Sequence, residues 1–133
     1  MWTYEISTGR IYADSGECIG VGYSGAGPRK NDPTAQGLHG EGPCPEGHYS
    51  LLSPRDSTEH GPFAIPLLPD AETRIAMLNL NRDPDSFLCH GDSIPHPGNA
   101  SEGCIIQSRD VREQLWDSKD HDLKVVAVIQ SET

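Results

Sequence analysis

Fourteen glycines and eleven prolines cut this chain of 133 residues into short apolar segments bounded by turn signals. That punctuation favours strands and turns. The segments alternate too regularly for a disordered Gly/Pro-rich chain. The length suits one domain with one core, taken as residues 1–133.

Trp2 to Ile6 alternates, Thr8-Gly9 marks a turn, and Arg10 to Ala13 resumes the pattern. A second turn at Asp14-Ser15-Gly16 leads into Cys18 to Tyr23, so the start reads as a meander. Ser24 to Pro45 reads as one long loop, a length associated with function or mobility. Gly47 to Leu52 and Phe63 to Leu68 read as strands, the latter at a sheet edge because Pro66 lacks an N–H. Ile75 to Leu80 and Ser86 to His90 follow as two more. Ser108 can cap a helix running to about Asp117, with Val111, Leu115 and Trp116 as its apolar stripe. Leu123 to Ile129, a continuous apolar run but for Lys124, reads as a buried final strand. The sum is a mainly β domain with one clear helix.

Twenty acidic against ten basic residues give a net charge of −10. This argues against a nucleic-acid partner and allows a basic protein partner. No apolar run approaches the roughly 20 residues of a membrane helix. Met1 to Glu5 has neither a basic segment nor an apolar one after it, so no Sec signal is expected. Cys18, Cys44, Cys89 and Cys104 form no CxxC pair, which suggests free thiols or at most one bridge. Zinc on Cys89, His90 and Cys104 is conceivable, but the close ligand pairs of structural zinc are missing. No metal or cofactor is expected.

His90-Gly91-Asp92-Ser93 and Ala100-Ser101-Glu102-Gly103-Cys104-Ile105-Ile106 carry the chemistry. Acyl transfer at a cysteine needs a thiolate, a base for the thiol proton, and N–H groups aimed at the oxyanion. Cys104 reads either as a small buried hydrophobe or as a nucleophile at a cleft rim. The second reading rests on Gly103, which removes a side chain where substrate would approach, and on the polar Ser101 and Glu102 beside it. Of six histidines, His90 ends an apolar strand and is followed by a glycine that frees the turn. Asp92 either orients the ring or binds a loop N–H. Cys89 points away from His90 and reads as core.

His90-Gly91, a spacer, and Ser101-Glu102-Gly103-Cys104 resemble the active-site signature of YkuD-type L,D-transpeptidases. The chain more closely resembles the small L,D-transpeptidase-like toxins delivered by bacterial type VI secretion. That likeness extends to Trp2-Thr3-Tyr4 with Thr8-Gly9, to Gly22-Tyr23-Ser24-Gly25 with Lys30-Asn31, and to Gly42-Pro43-Cys44-Pro45-Glu46-Gly47-His48-Tyr49. It departs from the YkuD pattern in three ways. Glu102 stands where a second histidine is usual, Ile106 where arginine or asparagine is usual, and the spacer is short.

The resemblance implies an L,D-transpeptidase-like β-sandwich or barrel that modifies stem tetrapeptides of peptidoglycan. Cys104 would attack, His90 would move the proton, and the N–H of Cys104, with that of Gly103 or a neighbour, would hold the oxyanion. Asp92 and Ser101 complete the candidate catalytic set, and Tyr23, Ser24 and His96 are candidates for the substrate cleft. It further implies synthesis in the cytoplasm, action in a rival's periplasm, and a periplasmic immunity protein as partner.

Other readings differ in class. A papain- or NlpC-like amidase would place its cysteine before its histidine, on a helix N-terminus. A metallopeptidase using His90, Asp92 and His96 or His121 would lack an HExxH-like pair. A catalytically inactive peptidoglycan-binding or structural β-domain is the non-enzyme alternative.

Overall fold

A computed structural model describes residues 1–57 and 59–129. The described residues are mainly β, with one mixed ten-stranded sheet and two α-helices. The strands are β1 (Trp2–Glu5), β2 (Arg10–Tyr12), β3 (Cys18–Val21), β4 (Tyr23–Ser24), β5 (Gly47–Leu51), β6 (Arg55–Ser57), β7 (Gly61–Pro69), β8 (Leu88–His90), β9 (Ile105–Ile106) and β10 (Asp122–Val126). Their order is β3-β2-β1-β10-β5-β7-β8-β9-β4, with β6 on β7. The β1–β10 and β8–β9 pairs are parallel and the rest antiparallel.

The two ends of this order, β3 and β4, are consecutive in the chain and separated only by Gly22. The sheet must therefore curl round on itself. Gly22 donates its N–H to Gly9 O at 2.7 Å, and a Cβ on Gly22 would lie 1.6 Å from Ile106 O. Only glycine permits that closure.

The predicted meander is present as β1 to β3, and the helix capped by Ser108 is α2 (Arg109–Asp117), with Ser108 Oγ accepting from Val111 N–H. Its buried Val111 and Leu115 join a core built around Tyr4, Ile6, Ile11, Ile65, Ile105, Leu123 and Val125. Each aliphatic side chain among them contributes about 1.5–3 kcal/mol by leaving water.

Three expectations are corrected. Ile75 to Leu80 is not a strand but the second half of α1 (Ala71–Asn79) and its C-cap. Asp70 caps that helix by accepting from Thr73 N–H at 2.9 Å. Only Thr73 and Met77, four apart, turn inward, while Ile75, Leu78 and Leu80 are exposed. Pro66 is not on an edge. β7 is a central strand, and Pro66 stands where its neighbour on one side changes from β6 to β5. Its carbonyl still accepts from Leu52 N–H at 3.0 Å, and the one bond its missing N–H forgoes falls opposite Leu52, just past the end of β5. The last strand ends at Val126, alternates, and leaves Val128 and Ile129 exposed.

Candidate active site

β8 and β9 run in parallel with Cys89 opposite Ile105 and His90 opposite Ile106. Cys89 and Ile105 face the core. By alternation His90 and Ile106 face the other way, and so does Cys104, one residue before Ile105. Cys104 and His90 thus sit diagonally on one face of neighbouring strands, with Cα atoms about 8 Å apart by strand spacing and rise. Both line one cleft of about 1220 Å³.

The walls of the cleft come from distant parts of the chain: Val21 to Tyr23, the His60 to Pro62 end of the β6–β7 hairpin, Arg82 to Phe87, the loop after His90, and the start of α2. The Cys89, His90 and Cys104 zinc set does not converge, because Cys89 lies across the sheet.

The tautomer of His90 follows from one contact. Nδ1 lies 2.8 Å from Gly91 O, and a carbonyl can only accept, so Nδ1 carries the proton. In the neutral ring Nε2 then holds the lone pair, and among the described residues it has no partner. Burial pulls the imidazole below its usual pKa; the bond to Gly91 opposes this, while the neighbouring His60 and Arg112 add to it. His90 is therefore a neutral base at neutral pH. The His60 ring packs over it, with centroids 4.6 Å apart.

Burial pushes the Cys104 thiol up. A hydrogen bond from the Leu88 backbone and the charge of Arg82 pull it back, and Glu102 and Glu59 oppose them. The net effect is a protonated resting thiol, which needs a base to become a nucleophile.

Ser101 organises the turn before Cys104. Its hydroxyl donates to Cys104 O at 2.6 Å and accepts from Gly103 N–H at 3.1 Å and Gly25 N–H at 2.9 Å. The Gly103 N–H is thus engaged, leaving that of Cys104 as the candidate oxyanion donor. Gly103 adopts φ 140°, and a Cβ there would meet Arg82 Nη2 at 2.4 Å and Phe87 Cε1 at 2.8 Å. Its lack of a side chain makes room for Arg82 and Phe87 rather than for substrate.

Asp92 takes the second of its two sequence-based roles. It accepts from Tyr23 O–H at 2.5 Å, Ser93 N–H at 2.8 Å and Gly98 N–H at 3.1 Å, and so braces the loop rather than the ring. Tyr23 lines the cleft and also accepts from Ala100 N–H at 2.9 Å. Ser24 is not on the cleft wall. It is wholly buried, donating to Gly103 O at 2.9 Å and accepting from Cys44 N–H at 2.8 Å. His96 is exposed on the loop and lies outside the cleft lining.

The cleft residues that the sequence does not mark include His60, Arg82 and Arg112. No local pattern marks them. Arg82 and Arg112 look like ordinary surface cations in sequence, yet they are 3% and 5% exposed.

Among the described residues no helix is long and apolar enough to cross a membrane. No curated protein and no solved structure matches the chain. The family model described as "Tlde1 domain" matches residues 20–131. The chain therefore belongs to the Tlde1 domain family of type VI secretion effector toxins.

Proposed function

We propose that this effector domain is a cysteine acyl transferase acting on the tetrapeptide stems of peptidoglycan. The observation that carries the reading is the placement of Cys104 and His90 on one face of two parallel strands, in one cleft, with Gly91 O fixing the ring so that Nε2 is the basic nitrogen.

In the first step His90 Nε2 takes the thiol proton, and the Cys104 sulfur adds to the carbonyl of the third stem residue, a diamino acid. The Cys104 N–H stabilises the oxyanion. The C–N bond to the terminal D-alanine then breaks, its amine takes the proton from His90, and a thioester remains. Water completes a carboxypeptidase cycle, and the amine of a D-amino acid or of a second stem completes a transpeptidase cycle. Either outcome consumes tetrapeptide acyl donors in the wall of a target cell. On this reading the enzyme works in the target periplasm, and the producer needs a periplasmic immunity protein.

The test is mass spectrometry of tetrapeptide muropeptides incubated with wild type, Cys104→Ala and His90→Ala. Loss of one D-alanine, or its exchange for an added D-amino acid, is expected with wild type only. Activity in Cys104→Ala would refute the mechanism. A second reading, an inactive peptidoglycan-binding domain, draws support from Glu102, whose charge opposes thiolate formation. It requires stem-peptide binding with no product from wild type.

A further inference from the structure

Arg112 stands on the first turns of α2, one edge of the cleft. Its guanidinium is nearly enclosed, yet it meets no carboxylate of the described residues. Nε donates to Gln107 O at 3.2 Å and Ser108 O at 3.3 Å, and Nη1 to Pro62 O at 2.9 Å and Phe63 O at 2.8 Å. Among the described residues nothing accepts from Nη2, and no acid forms an ion pair with Arg112. The other cation at this edge, Arg109, is already held by Glu113 at 2.8 Å and by the Phe63 ring at 4.6 Å.

A desolvated cation bonded only to neutral carbonyls is costly, and an anion that reaches it recovers much of that cost. Access to Nη2 runs past Gly91. A Cβ on Gly91 would lie 2.8 Å from Nη2, so the absent side chain leaves this nitrogen uncovered beside His90.

We propose that Arg112 Nη2, bared by Gly91, is a carboxylate subsite that holds the terminal carboxylate of the stem peptide. This rests on the acyl-transfer reading above. His90 gives its proton to the leaving amine, so that amine lies at His90. In a terminal D-alanine the carboxylate is one carbon from the amine, and Arg112 lies against the residue next to His90. The same subsite would take the carboxylate of an incoming D-amino acid. The substrate class is thereby narrowed to chains ending in a free carboxylate after the scissile bond.

The experiment compares kcat/KM for a stem tetrapeptide and for the same peptide ending in D-alaninamide, with wild type, Arg112→Lys and Gly91→Ala. Wild type should favour the free acid on the order of ten- to a hundredfold, the worth of a charged hydrogen bond. In Gly91→Ala that preference should fall towards one, and in Arg112→Lys, which keeps a charge but loses the fork of donors, it should weaken. Gly91→Ala retains the arginine and its charge and sets a methyl group against Nη2, so it decides the matter if Arg112→Lys does not fold. A merely structural arginine would leave the acid-to-amide ratio unchanged. Equal turnover of acid and amide by wild type, or a preference that survives in Gly91→Ala, overturns the subsite while leaving acyl transfer standing. Turnover of neither peptide by wild type overturns the acyl-transfer reading, and the subsite with it.

Discussion

The His60 ring lies 4.6 Å from that of His90 and is tilted 33° to it. It brings the β6–β7 hairpin onto the residue that ends β8. This contact helps to bury His90, and burial is the main cause of its lowered pKa, with His60 itself a further contributor.

His60→Ala should therefore let the His90 pKa rise towards the ordinary imidazole value. The acid limb of kcat/KM should move to higher pH, since His90 works as a base only when neutral. The linkage to stability has a definite sign. Below the ordinary value the unfolded chain takes up a proton that the folded site refuses, so stability increases with pH across that interval. The interval should narrow in His60→Ala. NMR titration of His90 in a Cys104→Ala background measures the shift directly, and an unmoved pKa would show that His60 adds nothing to the burial.

The Asp92 carboxylate should govern the loop between His90 and Cys104. Burial alone would raise its pKa, but bonds from Tyr23, Gly98 and Ser93 and the charge of Lys30 outweigh this and hold it below the usual carboxylate value. A lowered carboxylate stabilises above its unfolded pKa, and that contribution is lost as pH falls through the folded one. Tyr23→Phe removes one bond to Asp92 and leaves Ala100 N–H without its acceptor. We expect a loss of about 1 kcal/mol in urea unfolding, together with a lower kcat/KM. Wild-type values for both would mean that the loop holds its shape without Tyr23.

Much of this site was legible in the sequence because it is local. The His90 strand end, the Ser101-to-Cys104 turn and the Ser108 cap each follow from neighbours within a few residues. The opposite orientations of Cys89 and His90 follow from the period of a strand. The contributions that were not legible are long-range. Arg82 reaches the Cys104 turn from just beyond α1, and Arg112 acts through carbonyls of β7 about fifty positions earlier. Ser24 looked like a cleft residue because its motif neighbours Tyr23, yet alternation turns it inward to hold Gly103 and Cys44. Ile75 to Leu80 is ambiguous in sequence because an apolar stretch of that length fits strand and helix alike. The Asp70 cap decided between them.

The four thiols should separate cleanly in alkylation by iodoacetamide at neutral pH. Cys18 is exposed and should react first. Cys104 is partly exposed with a raised thiol pKa, so its rate should climb with pH and fall in His90→Ala. Cys44 and Cys89 are buried with their pKa values pushed up to about 12, and they should react only on unfolding. Peptide mass mapping over time reads the order. Fast labelling of Cys44 or Cys89 in the folded protein would contradict it.

Arg82 is expected to have two separable effects, one on structure and one on charge. Its Nη1 donates to Gln36 O at 2.7 Å and Pro43 O at 3.1 Å, and its Nη2 to Gly42 O at 3.1 Å and Glu102 O at 3.5 Å. The guanidinium also lies over the Phe87 ring, 5.1 Å from its centroid. It thereby ties the long loop before β5 to the turn that presents Cys104. Removing the donors leaves several carbonyls unpaired, so Arg82→Met should destabilise by about 2–4 kcal/mol. Removing the charge also withdraws a pull on the Cys104 thiol, whose pKa should rise further and whose alkylation at neutral pH should slow. Arg82→Lys separates the two effects. An ammonium restores the charge near Cys104 but cannot span four carbonyls. We therefore expect Arg82→Lys to remain destabilised yet to recover much of the Cys104 reactivity. Equal slowing in both variants would show that Arg82 acts on Cys104 through the shape of the turn rather than through its charge.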